Sequence, residues 1–251
     1  MGVINTNIAK LNIRISHEYG YIERICRRYL SDADEAEFEK SIDIDVSVNG
    51  DDLAAEKPLM TASSGSEPHP AVLEAMALFR KIAEALPYFD CFLMHGSAIA
   101  VDGQGYMFTA PSGTGKSTHT SLWRGQFGER AVMVNDDKPF IRLTDIGIYV
   151  CGSPWNGKHG LGENICVPLK AICFLKRGAE NSIRAVSPHD AFPSLLRQIY
   201  RTSDPKALKR TLELIDRLTE QTELYELYCN MDPEAAAVAY SGMNQRKQVI
   251  K

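Results

Sequence analysis

The stretch Tyr106 to Thr120, YMFTAPSGTGKSTHT, constrains this chain more than any other part of it. A short apolar run (Tyr106, Met107, Phe108) predicts a strand, a glycine-rich turn follows, and Lys116 with two hydroxyls opens a predicted helix. Gly113 and Gly115 free the backbone to curl, so that successive N–H groups from Pro111 to Thr118 converge as an anion nest. The helix adds the positive end of its dipole. The expected phosphate-holding residues are Pro111, Ser112, Gly113, Thr114, Gly115, Lys116, Ser117 and Thr118, with Lys116 on the outer phosphates and the Ser117 hydroxyl on a magnesium ion. Ala110 stands where the usual G-x-x-x-x-G-K-[ST] string has its first glycine. Pro111 lacks an N–H, but it precedes the nest and removes no needed donor.

Net charge is −4 with acids and bases mixed along the chain, which argues against nucleic-acid binding by bulk electrostatics. No apolar run approaches the ~18 residues of a membrane span. The N-terminal residues lack the apolar core of a secretory leader. The six cysteines form no C-x-x-C pair, and several sit in apolar runs such as Ala-Ile-Cys-Phe-Leu around Cys173. They read as buried, reduced thiols, and the chain as cytoplasmic.

Alternation at Leu11, Ile13 and Ile15, and again at Ile42, Ile44, Val46 and Val48, predicts two half-buried strands, the second ending in a tight turn at Asn49-Gly50. Ser31 to Lys40 reads as an acidic, solvated connection, and Glu56 as an exposed glutamate. TASSGSEPHP, from Thr61 to Pro70, reads as a loop and a boundary. It divides an N-terminal α+β portion, residues 1–70, from an α/β core, residues 71–251. In the core, Val72, Met76, Phe79, Ala83 and Leu86 mark a helix face, and a buried strand over 91–101 is interrupted by His95-Gly96. Short strands follow at 131–134, 140–143, 148–150, 171–175 and 223–229. Ser187-Pro188, Asp204-Pro205 and Asp232-Pro233 each place a capping residue before a proline at a helix start. The helix after Pro205 is expected to bury Leu208, Leu212, Ile215 and Thr219. The polar, basic tail over 244–251 is expected to fray.

Three further groupings carry chemistry. Ala-Val-Met-Val-Asn-Asp-Asp, residues 131–137, delivers Asp136 and Asp137 at a strand end, where adjacent side chains diverge. One suits a magnesium ion and the other an acceptor hydroxyl. His95, inside an apolar strand, requires a polar partner and is expected either beside the phosphates or satisfied within the core. The glycine-rich segment Ser153 to Gly160 places Lys158 or His159 to close over a γ-phosphate. His119 and Trp123, on the loop helix, read as packing residues or as supports behind the site.

Taken together, His95-Gly96, Pro-Ser-Gly-Thr-Gly-Lys-Ser-Thr and a strand ending in Asp-Asp resemble the HPr kinase/phosphorylase family, which shares its nucleotide fold with phosphoenolpyruvate carboxykinase. Gly-Lys-His-Gly-Leu-Gly at 157–162 is loosely similar to the family's Arg-Gly-Leu-Gly segment. The resemblance covers about residues 88–180. It implies a P-loop nucleotide-binding core with a mixed β-sheet and flanking helices, ATP and Mg2+ as cofactors, Lys116 and Ser117 on phosphate and magnesium, Asp136 as base and Asp137 as metal ligand, and it allows a homo-oligomer. The reading is a kinase moving the γ-phosphoryl group to a hydroxyl acceptor, a protein or peptide serine or a small metabolite, aided by Lys116 and His95 or Lys158. The alternatives are a nucleotide-dependent regulatory protein without transfer and a carboxykinase-like enzyme.

Overall fold

The alternation at Leu11, Ile13 and Ile15 is realised as an antiparallel hairpin of β1 (Gly2–Ile8) and β2 (Leu11–His17), in which those three side chains are buried. Ala9 and Lys10 both take positive φ in the turn, the conformation that matches strand twist in a two-residue hairpin. In this computed structural model the described residues are 1–157 and 159–244.

After the hairpin come α1 (Tyr21–Cys26), α2 (Glu35–Glu39), β3 (Ile44–Val46), α3 (Gly50–Ser64) and α4 (Pro70–Ala85). The acidic connection thus contains a helix, α2. Asp34 caps it by accepting from the Glu37 amide, and Phe38 anchors it in the core. One apolar anchor leaves no period to read. The expected turn at Asn49-Gly50 is instead a helix start: Asn49 accepts from the Asp52 amide while Asp52 accepts from the Asn49 amide. That cap shortens β3 and lets α3 run into the expected loop, ending at Gly65 with φ +72°. Glu56 is buried rather than exposed, held bidentate by Arg80.

A second, nine-stranded sheet organises the rest. Its strands are β4 (Cys91–Leu93), β5 (Ser97–Val101), β6 (Gln104–Thr109), β7 (Ala131–Asn135), β8 (Phe140–Thr144), β9 (Gly147–Cys151), β10 (Cys166–Arg177), β11 (Ser182–Ala185) and β12 (Glu223–Cys229). The order is β4-β8-β9-β10-β6-β5-β7, with β12 on β10 and β11 on β12. Among the described residues the remaining α-helices are α5 (Lys116–Phe127), α6 (Pro188–Leu196), α7 (Pro205–Gln221) and α8 (Glu234–Asn244). The result is a mixed α/β fold, since β10 is parallel to β6 and β12 but antiparallel to β9.

The central strands bury both faces. Ala98, Met107, Ile172 and Leu214 share one core with Leu218, whereas Ile99, Phe108, Cys173 and Trp123 share another with Ala239 and Met243. The period of two distributes alternate side chains to α7 on one side and to α5 and α8 on the other, so these strands read as unbroken apolar runs. A third core joins the N-terminal sheet to α4 and to Phe140, Cys151 and Trp155.

Two expectations change here. On α7 the buried face is Ala207, Thr211, Leu214, Ile215, Leu218 and Thr219, so that Ile215 and Thr219 are buried as expected while Leu212 is exposed and Leu208 half-buried. Cys151 and Cys166, which face each other across β9 and β10, form a disulfide, and Cys26, Cys91, Cys173 and Cys229 are free. Register, invisible in spacing, paired those two. The cysteines therefore no longer argue for a reducing compartment. Among the described residues no helix is long and apolar enough to cross a membrane. The basic tail expected to fray lies, beyond residue 244, outside the described residues.

Candidate active site

Strand direction gathers the candidate residues. β5 is antiparallel to both β6 and β7, so β6 and β7 run parallel and end at the same edge of the sheet. The start of β5 lies between those two ends, with Ser97 opposite Phe108 and Ala98 opposite Asn135. The loop after β6, the Asp136-Asp137 pair after β7 and His95 just before β5 must therefore meet at one place. They line one cleft of about 1080 Å³ together with Ser112, Ser117 and His159.

Within the loop, Gly113 and Gly115 take φ of +76° and +118°, and α5 begins at Lys116 with Gly115 as its left-handed N-cap. Those two angles favour glycine and permit a sharp reversal of the chain before α5. Thr114 Oγ1 donates to the Pro111 carbonyl at 2.8 Å, and the Arg177 guanidinium donates to the Gly113 carbonyl at 2.6 Å. Lys116 is buried, with Nζ donating to the Ala110 carbonyl at 2.9 Å. Burial lowers its pKa, against an opposing pull from the Asp137 and Asp136 carboxylates.

The two aspartates diverge. Asp136 is buried, and Oδ1 accepts from Ser97 Oγ at 2.7 Å, which in turn lies 3.1 Å from Thr120 Oγ1 on α5. Asp137 pairs with Lys138, and its Oδ1 lies 3.5 Å from His95 Nε2. The His95 ring is oriented by Gln198 Oε1, 3.0 Å from Nδ1. Burial, then the neighbouring Lys116 charge, lowers the His95 pKa. Behind the pair, Asn135 Oδ1 accepts from the amides of Asp137 and Lys138, and its Nδ2 donates to Ser153. Strand end and loop are thereby tied together.

Gly157 closes against Asp136: a Cβ there would lie 3.1 Å from Asp136 Oδ2. Lys158 lies outside the described residues. His119 is a core residue, its Nε2 accepting from Trp123 Nε1 at 3.0 Å, and burial lowers its pKa to about 4. Among the described residues no group of three or more His, Cys, Asp or Glu side chains is placed to enclose a metal. A magnesium ion bound chiefly through phosphate oxygens needs only one or two protein ligands, and Ser117 and Asp137 both line this cleft.

Comparisons with known proteins add little. No family model and no curated protein matches the chain. The structure of the Hpr(Ser) kinase/phosphatase from Coxiella burnetii is similar over 59% of this chain and 94% of that one, with a TM-score of 0.32 and 9% sequence identity. That is a distant likeness of fold.

Sequence reasoning missed Ser97, Thr120, Gln198 and Arg177. Ser97 adjoins the His95-Gly96 break already noted, and a hydroxyl opening a buried strand was a readable signal. Gln198 and Arg177 come from distant segments and left none.

Proposed function

We propose that the chain is an ATP-dependent kinase that transfers a γ-phosphoryl group to a hydroxyl acceptor. The observation that carries the reading is the shared cleft, in which a glycine-curled loop opening a helix faces two diverging carboxylates. A nest of amides at a helix start suits a polyphosphate and little else of biological abundance.

In this reading, amides between Ser112 and Thr118 hold the phosphates, and Lys116 exchanges its bond to the Ala110 carbonyl for one to an outer phosphate oxygen. Asp136, fixed by Ser97, accepts the proton of the acceptor hydroxyl. The acceptor oxygen bonds to the γ-phosphorus, the bond from phosphorus to the β–γ bridging oxygen breaks, and ADP leaves. His95 lends polarity at the edge of the cleft and positions Asp137. Ser117 and Asp137 would hold magnesium, which when bound neutralises phosphate charge. Catalysis then consists mainly of positioning and charge stabilisation. An ATP-consuming enzyme belongs where ATP is, and the proposal places the chain in the cytoplasm.

Incubation with γ-labelled ATP and fractionated cell extract tests the proposal. Label should move to a hydroxyl-bearing species with the wild-type protein and not with Asp136→Asn, which should still bind ATP. Equal transfer by both proteins would remove Asp136 as base. ATP binding with no transfer to any species would leave a nucleotide-dependent regulator instead.

A further inference from the structure

A second cavity, about 520 Å³, adjoins the cleft between α1 and the 154–162 loop. Its lining contains four cations, Arg24, Arg27, Arg28 and Lys138, and no carboxylate. In a chain of net charge −4 that segregation is unusual. Arg28 and Lys138 are engaged, the first with the Gly162 carbonyl and Glu163, the second with Asp137. Arg24 stacks on the Tyr21 ring, and neither it nor Arg27 has a carboxylate within ion-pair distance among the described residues. Two exposed guanidiniums thus supply unpaired positive charge to the cavity.

Tyr29, 1% exposed, and Asn156 also line the cavity, with the tyrosine hydroxyl beside the Asn156 side chain. Trp155, 6% exposed, provides an apolar wall.

The wall between the two cavities is thin. Along the loop, Gly157, His159 and Leu161 line the phosphate cleft, while Gly157, Gly160 and Gly162 line the arginine cavity. Gly157 belongs to both and abuts Asp136 Oδ2. Lys138 lines the arginine cavity and its partner Asp137 lines the cleft. A molecule in the arginine cavity therefore sits beside the proposed base.

We propose that this cavity seats the acceptor, and that the acceptor is a small hydroxy compound carrying a carboxylate or phosphate. Its anion rests against Arg24 and Arg27 and its hydroxyl passes Gly157 to reach Asp136. The assignment rests on the kinase reading of the neighbouring cleft. The acceptor oxygen takes the γ-phosphorus, its proton goes to Asp136, and ADP departs with the electrons of the broken bond. The volume suits a small molecule.

Calorimetry without nucleotide, using glycerate, glycerol 3-phosphate and glycerol, tests the assignment on one carbon skeleton. At least one of the two anions should bind saturably, and glycerol should not; which anion binds separates a carboxylate from a phosphate preference. An Arg24→Gln, Arg27→Gln double variant should weaken that binding tenfold or more, and Lys116→Ala should leave it unchanged. Both arginines are exposed, so folding is not at stake. The assignment is overturned if neither anion binds, if glycerol binds equally, if the arginine variant is unaffected, or if an acidic serine peptide binds in preference to both. Anion binding that survives while ATP binding or transfer is absent would instead defeat the kinase reading alone.

Discussion

The Ser97 hydroxyl donates a 2.7 Å hydrogen bond to Asp136 Oδ1, and both residues are buried. This bond joins the start of one strand to the end of its neighbour and fixes which oxygen of Asp136 remains available. Ser97→Ala leaves Oδ1 without its donor, a loss of about 1–3 kcal/mol. Transfer should fall roughly tenfold while calorimetric ATP affinity stays within about twofold. An unchanged kcat would remove Ser97 as a positioning residue.

Lys116→Ala should act on nucleotide binding itself. A charged hydrogen bond to phosphate is worth about 1.5–3 kcal/mol, so ATP affinity should weaken on the order of 10- to 100-fold. Thermal stability should not fall, because burial already disfavours the Lys116 charge in the free protein. Normal ATP affinity in this variant would contradict the role of the loop.

Acid should destabilise the fold through His119. Its Nε2 accepts from Trp123, which places the proton on Nδ1 and keeps the ring neutral; burial holds its pKa at about 4 against 6.5 for an unhindered imidazole. The unfolded state therefore binds a proton first. The stabilisation is present in full above pH 6.5 and is lost as pH falls toward 4, to a total of about 3 kcal/mol. Urea midpoints across that window should shift less in His119→Gln than in wild type. Parallel curves for the two proteins would refute the assignment.

The Cys151–Cys166 disulfide closes a segment of sequence separation 15 that carries the wall of both cavities. Gly152 donates to the Ile165 carbonyl at 2.9 Å inside that closure, and a Cβ on Gly152 would fall 2.0 Å from the Glu163 carbonyl. Reduction, or Cys166→Ser, removes about 3 kcal/mol by loop entropy, which lowers the melting temperature by roughly 5–10 °C. Hydrogen exchange should rise over residues 152–165 and stay unchanged at 112–118. No change in either quantity would show the bridge to be dispensable.

Much of the core was legible because its signals are local. The strand through Tyr106, Met107 and Phe108 and the helix opening at Lys116 each depend on neighbours within a few residues, and both lie where expected. The Ser187 and Asp204 caps before proline also hold, each accepting from amides of its first turn. Misreadings came where a single distant contact decided the matter. Phe38 alone anchors α2, and Arg80 buries Glu56. Neither leaves a period in the sequence, whereas the buried face of α7 does follow the helical period.

By itself the sequence determined the local chemistry: glycines that permit positive φ before Lys116, carboxylates that end an apolar strand, and a histidine that interrupts another. Backbone sterics and side-chain period act over a few residues, so a reader of the chain sees them directly. Only the tertiary structure decided that these pieces share one cleft, that Ser97 holds Asp136, and that Arg24 and Arg27 face a cavity on the other side of Gly157. Those relations follow from strand direction and register, which set long-range contacts by pairing segments far apart in the chain.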